Sequence, residues 1–545
     1  MNKRIFLVGA LVSTFILGTA FTVSNEKDKY FEIIKNIEIF TNLYKEVNSN
    51  YVDEIDPGQL MRTGLEAMVG SLDPFTNYIS EADIEGYRFI QEGRYHGIGT
   101  KQKKIGEYVT VTELYKDQPA DQAGLRPGDQ FISVDGQSAV GRSLEQLDEI
   151  MRGFPGTTMN LVIRRPGVAE ELNIELIRGD VEINNVPYYG MVSSDVGYIN
   201  LSIFSRNAGR NILNAFQDLK QENPAMSGLI LDLRGNGGGL LNEAINISNI
   251  FIPRDEVVVT TRGKVKDWDR TYKTMNQPID TEIPVAVLVN KGSASASEIV
   301  SGVMQDYDRG ILIGQRTYGK GLVQNTMEVG YNARVKITTA KYYIPSERCI
   351  QSVEYENGEP VAIADDKRAR FKTKNGRTVL DGGGVKPDIV MEPAEEKGIV
   401  KALLDDNMIF NYVTDWTLAN PTIDSTDTFQ FTDYAGFERY LQDQNFEYRS
   451  EAEKMLAKLA ETADEESVNI DTEANLIRQK LDASQSAKLA ANRDLIIRLI
   501  EKEIAGRYYY QRGKVQIGLR NDPEVKEAVS VLNDTGRYQS ILGGS

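Results

Sequence analysis

Three short stretches hold residue types that could do nucleophilic chemistry. In "VNKGSASASEIVSGVMQDY" (289–307) four serines sit among small residues, behind the apolar run "PVAVLV" and ahead of an amphipathic helix pattern. Ser295 lies in the middle. The tetrapeptide from Ser295 to Glu298 matches a capping box, so a helix cap is one reading of this serine. The same turn also suits a nucleophile, because small neighbours admit a substrate backbone and the free N–H groups of a helix start can hold an oxyanion. "LILDLRGNGGGLL" (229–241) is a second strand–turn–helix unit, with glycines at 237 to 239 that serve a tight turn, close packing or an exposed amide. It has neither the Walker lysine pattern nor the dinucleotide spacing.

A serine nucleophile needs a proton acceptor. The one histidine, His96, stands in "YHGIGTK" at the entry to a β-rich stretch, and is read as structural. A serine–lysine pair is the variant of triad logic that remains. "QRTYGKGLVQNT" sets Lys320 between Gly319 and Gly321, with Gln324 four residues on. A free lysine titrates near pH ~10.4, so a lysine base at neutral pH needs its charged form disfavoured by about 4 kcal/mol. Burial without a carboxylate partner supplies this. A solvated surface lysine is the alternative at this point.

These residues need elements to position them. Residues 25–91 read as helical, with "YFEIIKNIEIFTNLYKEV" at three-and-four spacing and Pro57 near a helix start. From 92 to 180, short alternating runs ("EYVTVTEL", "DQFISVDG", "MNLVIRR", "ELNIELIRG") with glycine and proline turns and one helix pattern, "SLEQLDEIMRG", indicate a compact β-rich module. From 181 to 395, strands alternate with helices, the mark of an α/β layer fold. Residues 396–545 are helical and strongly charged. The first 24 residues carry Lys3 and Arg4, an apolar run and then charge, which reads as a cleaved signal peptide or an uncleaved anchor. Either places the working domains outside the cytoplasmic membrane, in the periplasm or its equivalent.

The 545 residues have a formal net charge of −17, which argues against a nucleic-acid partner. Cys349, the only cysteine, excludes an intramolecular disulfide framework and a thiolate zinc cluster.

Taken in order, "AGLRPGD", "LDLRGNGGG", "GSASASE", "YGKGLVQ" and "DGGGVKPDI" (381–389) closely resemble the carboxyl-terminal processing (tail-specific) serine peptidases, over residues 40 to 395. The resemblance implies a serine endopeptidase with Ser295 as nucleophile, Lys320 as general base and Gln324 positioning the lysine. It places the oxyanion amides at Ala296 and, by motif position, Gly238. It implies a crotonase-like α/β spiral as catalytic core, and makes the inserted β module a PDZ domain whose Gly97, Ile98 and Gly99 amides would hold a peptide's terminal carboxylate. Substrates would be proteins or peptides with accessible C-termini, and no metal or cofactor is implied. The C-terminal extension lies outside the resemblance; its helices could pack on the core, form a homo-oligomer or dock an adaptor. Two rival readings stand beside this one: an inactive PDZ tail-binding scaffold, and a crotonase-type acyl-thioester enzyme.

Overall fold

A computed structural model of the chain describes residues 30–80, 93–351, 355–356, 359–361, 363–392, 398–481 and 485–543. The expected signal or anchor segment, 1–24, lies outside the described residues. The chain forms two compact units, one of residues 1–78 with 326–330 and 334–337, the other of the remainder. In the first unit the helix Pro57–Gly70 starts where the sequence places it. Pro57 occupies its first turn and the Asp56 carboxylate accepts the N–H groups of Gly58 and Gln59.

The second unit begins with the β-rich module. Its sheet runs Thr100–Ile105, Tyr108–Leu114, Gln130–Val134, Thr158–Arg164, Leu172–Ile177 in spatial order, so Thr100–Ile105 is an edge strand. The helix Leu144–Met151, started by a Ser143–Gln146 capping box, closes its core by burying Leu147 and Met151. The strands Arg94–Gly97 and Gly179–Glu182 pair antiparallel where the chain enters and leaves this module. His96 sits on this neck opposite Asp180, its Nε2 4.0 Å from Oδ1, in keeping with a structural role.

The second core is a six-stranded sheet in the order Tyr188–Met191, Val196–Asn200, Gly228–Asp232, Val285–Val289, Ile311–Gly314, Ile389–Val390. The first pair is antiparallel and the others are parallel. Gly228–Asp232 and Val285–Val289 are buried along their whole length, as parallel strands covered on both faces must be. The helices Ala208–Glu222, Leu241–Phe251 and Ala296–Asp306 cover one face. The other face is covered by the chain's last two helices, Pro523–Asn533 and Thr535–Gly543, through Val525, Ala528, Val531, Leu532, Tyr538 and Leu542. The C-terminal region therefore completes the α/β core and does not merely append to it. Between these parts, the helices Ile399–Asp405, Met408–Ala419, Tyr434–Asp443 and the long Arg493–Leu519 bury their own core around Tyr412, Phe431 and Phe437.

Candidate active site

Parallel pairing brings the first two sequence motifs together. Gly228–Asp232 and Val285–Val289 are neighbours in register (Leu229 opposite Val285, Asp232 opposite Leu288), so the turns that follow both emerge at the same sheet edge. Asn236, fully buried, ties them: its carbonyl accepts the Ala294 N–H at 3.0 Å and the Ser297 hydroxyl at 2.8 Å, while its side-chain amide donates to the Leu201 carbonyl at 2.8 Å. Ser293 adds a hydroxyl bond to the Leu233 carbonyl at 2.8 Å.

Ser295 stands at the start of the helix Ala296–Asp306 with φ 56° and ψ −111°, a conformation L-residues rarely adopt. Such backbone costs about 1–3 kcal/mol and persists only when surrounding bonds over-determine it. Here Glu298 does so. Its carboxylate, with no solvent exposure, accepts the Ser295 N–H at 2.8 Å as the capping box requires. It also accepts the N–H groups of Lys320 (2.9 Å) and Gly319 (2.7 Å) and the Thr317 hydroxyl (2.6 Å). Burial raises the pKa of Glu298, and the hydrogen bonds from Thr317, Ser295, Gly319 and Lys320 oppose that rise.

One carboxylate thus joins the serine turn to the lysine loop. A second tie is Tyr342, nearly fully buried, whose hydroxyl lies 2.5 Å from the Lys320 carbonyl and 3.2 Å from that of Ser295. The Lys320 loop enters from the next parallel strand, Ile311–Gly314, and the side chains of Ser295, Lys320 and Gln324 are half-buried. Gln324 Nε2 donates to Thr338 Oγ1 at 3.2 Å, across the hairpin that follows.

Gly238 lies against the serine turn as expected. A Cβ there would meet the Ala294 oxygen at 2.7 Å and the Ala296 nitrogen at 2.9 Å, and its φ is +98°, so only glycine fits. Its own N–H, however, donates to Asn236 Oδ1 at 2.9 Å. The amide chosen from the motif is therefore engaged within its own turn. Sequence reasoning missed Asn236 and Tyr342; a buried asparagine inside a glycine run was the one available signal for the former.

In the β-rich module, Gly97 ends the neck strand opposite Gly179, and Ile98 and Gly99 link it to the edge strand. Ile98 is buried in the module's core, and its carbonyl accepts the Ala120 N–H at 2.8 Å. Gly99 has φ +83° and a Cβ there would collide with Gln118. The Tyr95 ring covers Gly97. Burial holds the Tyr95 hydroxyl well above the usual phenol range, against hydrogen bonds from the backbone of Gly99 and Thr100.

Fold and site define a class, a serine-bearing α/β core joined to a separate β-rich module. Comparison with known proteins agrees. Residues 195–358 match the family model "Peptidase family S41", 110–165 match "PDZ domain", and 399–532 match "Probable PDZ-protease, C-terminal helical domain". The chain is 32% identical over 358 residues to a "Carboxy-terminal-processing protease" of Bartonella bacilliformis, covering 65% of this chain and 81% of that one. It is 33% identical over 365 residues to a "Probable CtpA-like serine protease" of Staphylococcus haemolyticus, covering 63% and 71%. A solved photosystem II D1 C-terminal processing protease aligns at 26% identity and TM-score 0.36, covering 65% of this chain and 92% of that one.

The chain belongs to peptidase family S41. It is a carboxy-terminal processing serine protease with a PDZ domain and a C-terminal helical domain.

Proposed function

We propose that this protease works as an exported endopeptidase with a serine–lysine dyad, on a core of the crotonase-like spiral type. A substrate's C-terminal tail adds as a strand to the open edge Thr100–Ile105, beside the helix Leu144–Met151, with its carboxylate on the Gly97–Gly99 loop. The Tyr95 ring, which lies against Gly97, borders that loop. In the catalytic core Ser295 Oγ attacks the scissile carbonyl carbon as its proton passes to uncharged Lys320 Nζ. The Ala296 N–H and an amide of the glycine turn receive the oxyanion. For Gly238 to be that second donor, its bond to Asn236 Oδ1 must be exchanged for the oxyanion. Collapse breaks the C–N bond, Lys320 returns the proton to the leaving amine, and a serine ester remains. Water, deprotonated by the same amine, then releases the acid. Gln324 orients the lysine in this scheme. The apolar leader after Lys3 and Arg4 supports export.

The observation that carries this reading is the Glu298 carboxylate, which binds the backbone N–H groups of both Ser295 and Lys320. Two motifs 25 residues apart (320 − 295) are thereby held as one site. The test is hydrolysis of casein and of a peptide with an apolar C-terminus by the purified protein. Cleavage by wild type and loss in both Ser295→Ala and Lys320→Ala supports the dyad. Cleavage surviving in Lys320→Ala removes the lysine from the mechanism, and its absence in wild type leaves the tail-binding scaffold.

A further inference from the structure

Within the glycine-run motif, Arg234 is held among three carboxylates. It follows the strand Gly228–Asp232 and immediately precedes the turn 235–239. Its side chain is 19% exposed. Asp232 of its own strand takes Nη2 at 2.6 Å and is itself held by the Tyr198 hydroxyl at 2.7 Å. The other head nitrogen, Nη1, meets Asp522 at 2.8 Å and Glu524 at 2.5 Å. Both acids belong to the C-terminal helical region. Asp522 also caps the helix Pro523–Asn533, accepting the Glu524 and Val525 N–H groups, and that helix is packed on the sheet. The guanidinium beside the glycine turn is thus held from two sides, one of them a far part of the chain.

The same segment reaches the PDZ domain. The long helix Arg493–Leu519 breaks at Tyr510, whose φ of 55° and ψ of −148° are not helical. From the break onward, Tyr510 donates its hydroxyl to Asp121 at 2.8 Å, Gln511 Nε2 donates to Glu113 at 2.8 Å, and Lys514 Nζ pairs with Glu113 at 3.1 Å. Glu113 also pairs with Lys101 at 3.0 Å, and Lys101 lies on the edge strand next to the Gly97–Gly99 loop. Asp121 lies in the short helix Pro119–Gln122, whose Ala120 N–H is bonded to Ile98 of that loop. Residues 510–524 therefore contact Glu113 and Asp121 of the PDZ domain at one end and the Arg234 guanidinium, next to the glycine turn, at the other.

We propose that residues 510–524 are a strut that carries the position of the PDZ domain to the glycine turn, with Asp522 and Glu524 as positioning residues acting through Arg234. A tail added to the edge strand moves Lys101 and Glu113, Lys514 follows, and the two acids shift the guanidinium of Arg234, the residue whose backbone leads into the turn. The inference rests on the tail-catching reading given above. Its chemistry is that of charge-assisted bonds, which are shorter and stronger than neutral ones.

The test compares hydrolysis of one internally quenched peptide with a free C-terminal carboxylate against the same peptide amidated. In wild type the free-acid form should be cleaved faster. In Lys514→Met and in Asp522→Asn/Glu524→Gln that ratio should fall toward one through kcat, by about tenfold or more. KM for the free acid, and its affinity by fluorescence anisotropy, should stay within about twofold of wild type. A variant that merely loosened the fold would lower both forms together and change KM. Lys514→Met alone suffices if the double variant does not fold. Retention of the wild-type ratio in the folded variants overturns the strut. A wild-type ratio of one overturns the tail-catching reading itself.

Discussion

The buried Glu298 carboxylate accepts the backbone N–H of Lys320 at 2.9 Å, although the two lie on different elements of the core. Because the same Oε2 atom also accepts the Ser295 N–H at 2.8 Å, the backbones of Ser295 and Lys320 are held together by one side-chain atom. Glu298→Gln turns an amide group toward two of the four donors. We expect kcat to fall by about 10²-fold while the PDZ domain still binds tails, since a small misplacement of a reacting group costs that much. Steady-state kinetics beside tail-binding affinity checks this.

The same carboxylate sets a pH signature. Its pKa is raised by burial, so as pH falls through that raised value a proton displaces one of the N–H donors and activity drops. The stability sign is opposite. A raised folded-state pKa favours folding below the unfolded value, and that contribution is lost as pH rises through the folded one. Activity should therefore fall on acidification above the ordinary carboxylate range, with no loss of fold from this group. Rate and thermal unfolding measured on the same pH series separate the two.

Ser295 in its unusual backbone conformation stores strain that glycine would not. Ser295→Gly should be inactive yet raise stability over Ser295→Ala by about 1 kcal/mol or more. Denaturant midpoints of the two inactive variants provide the comparison.

Gly238→Ala would press a methyl group against the Ala294 oxygen and the Ala296 nitrogen. Turnover should drop by about 10²-fold or more, the cost of a lost oxyanion donor. Unchanged turnover would show that the oxyanion does not form on this side of the serine turn.

Burial tends to raise the pKa of Glu113, but Lys514 and Lys101, with Gln511, outweigh it and hold the carboxyl at about 2. A depressed carboxylate contributes stability above its unfolded value, near 4.5, and loses it as pH falls through the folded value. The contribution is on the order of 3 kcal/mol. The stability gap between wild type and Glu113→Gln should be flat from pH ~8 to pH ~5 and shrink below that. The contact between PDZ domain and C-terminal helix is then insensitive to mild acid.

Much of the fold was legible locally. The PDZ strands Tyr108–Leu114, Gln130–Val134, Thr158–Arg164 and Leu172–Ile177 and the helix Leu144–Met151 fall on the alternating runs and on the single helix pattern, because a two-residue period facing a core leaves a local mark, whereas the exposed edge strand Thr100–Ile105 carried no such run. The capping box from Ser295 to Glu298 was also readable, being four residues long. Its carboxylate's bonds to Thr317, Gly319 and Lys320 were not, since hydrogen bonds between distant segments leave no spacing in the chain. The role of Asn236 was not readable, since its bonds to Ala294, Ser297 and Leu201 join segments far apart in the chain.

What this sequence determined by itself was the inventory: a serine on a strand–helix turn, a lysine between glycines, a glycine run and a β module, each written in contiguous residues. What only the tertiary structure decided was which of these meet and through what. Parallel strand pairing set the glycine and serine turns side by side, and a buried acid tied the lysine loop to them. The last two helices became the second face of the catalytic sheet. An amphipathic helix pattern says that one face must be buried, but the partner that buries it is chosen by the free energy of the whole packed chain.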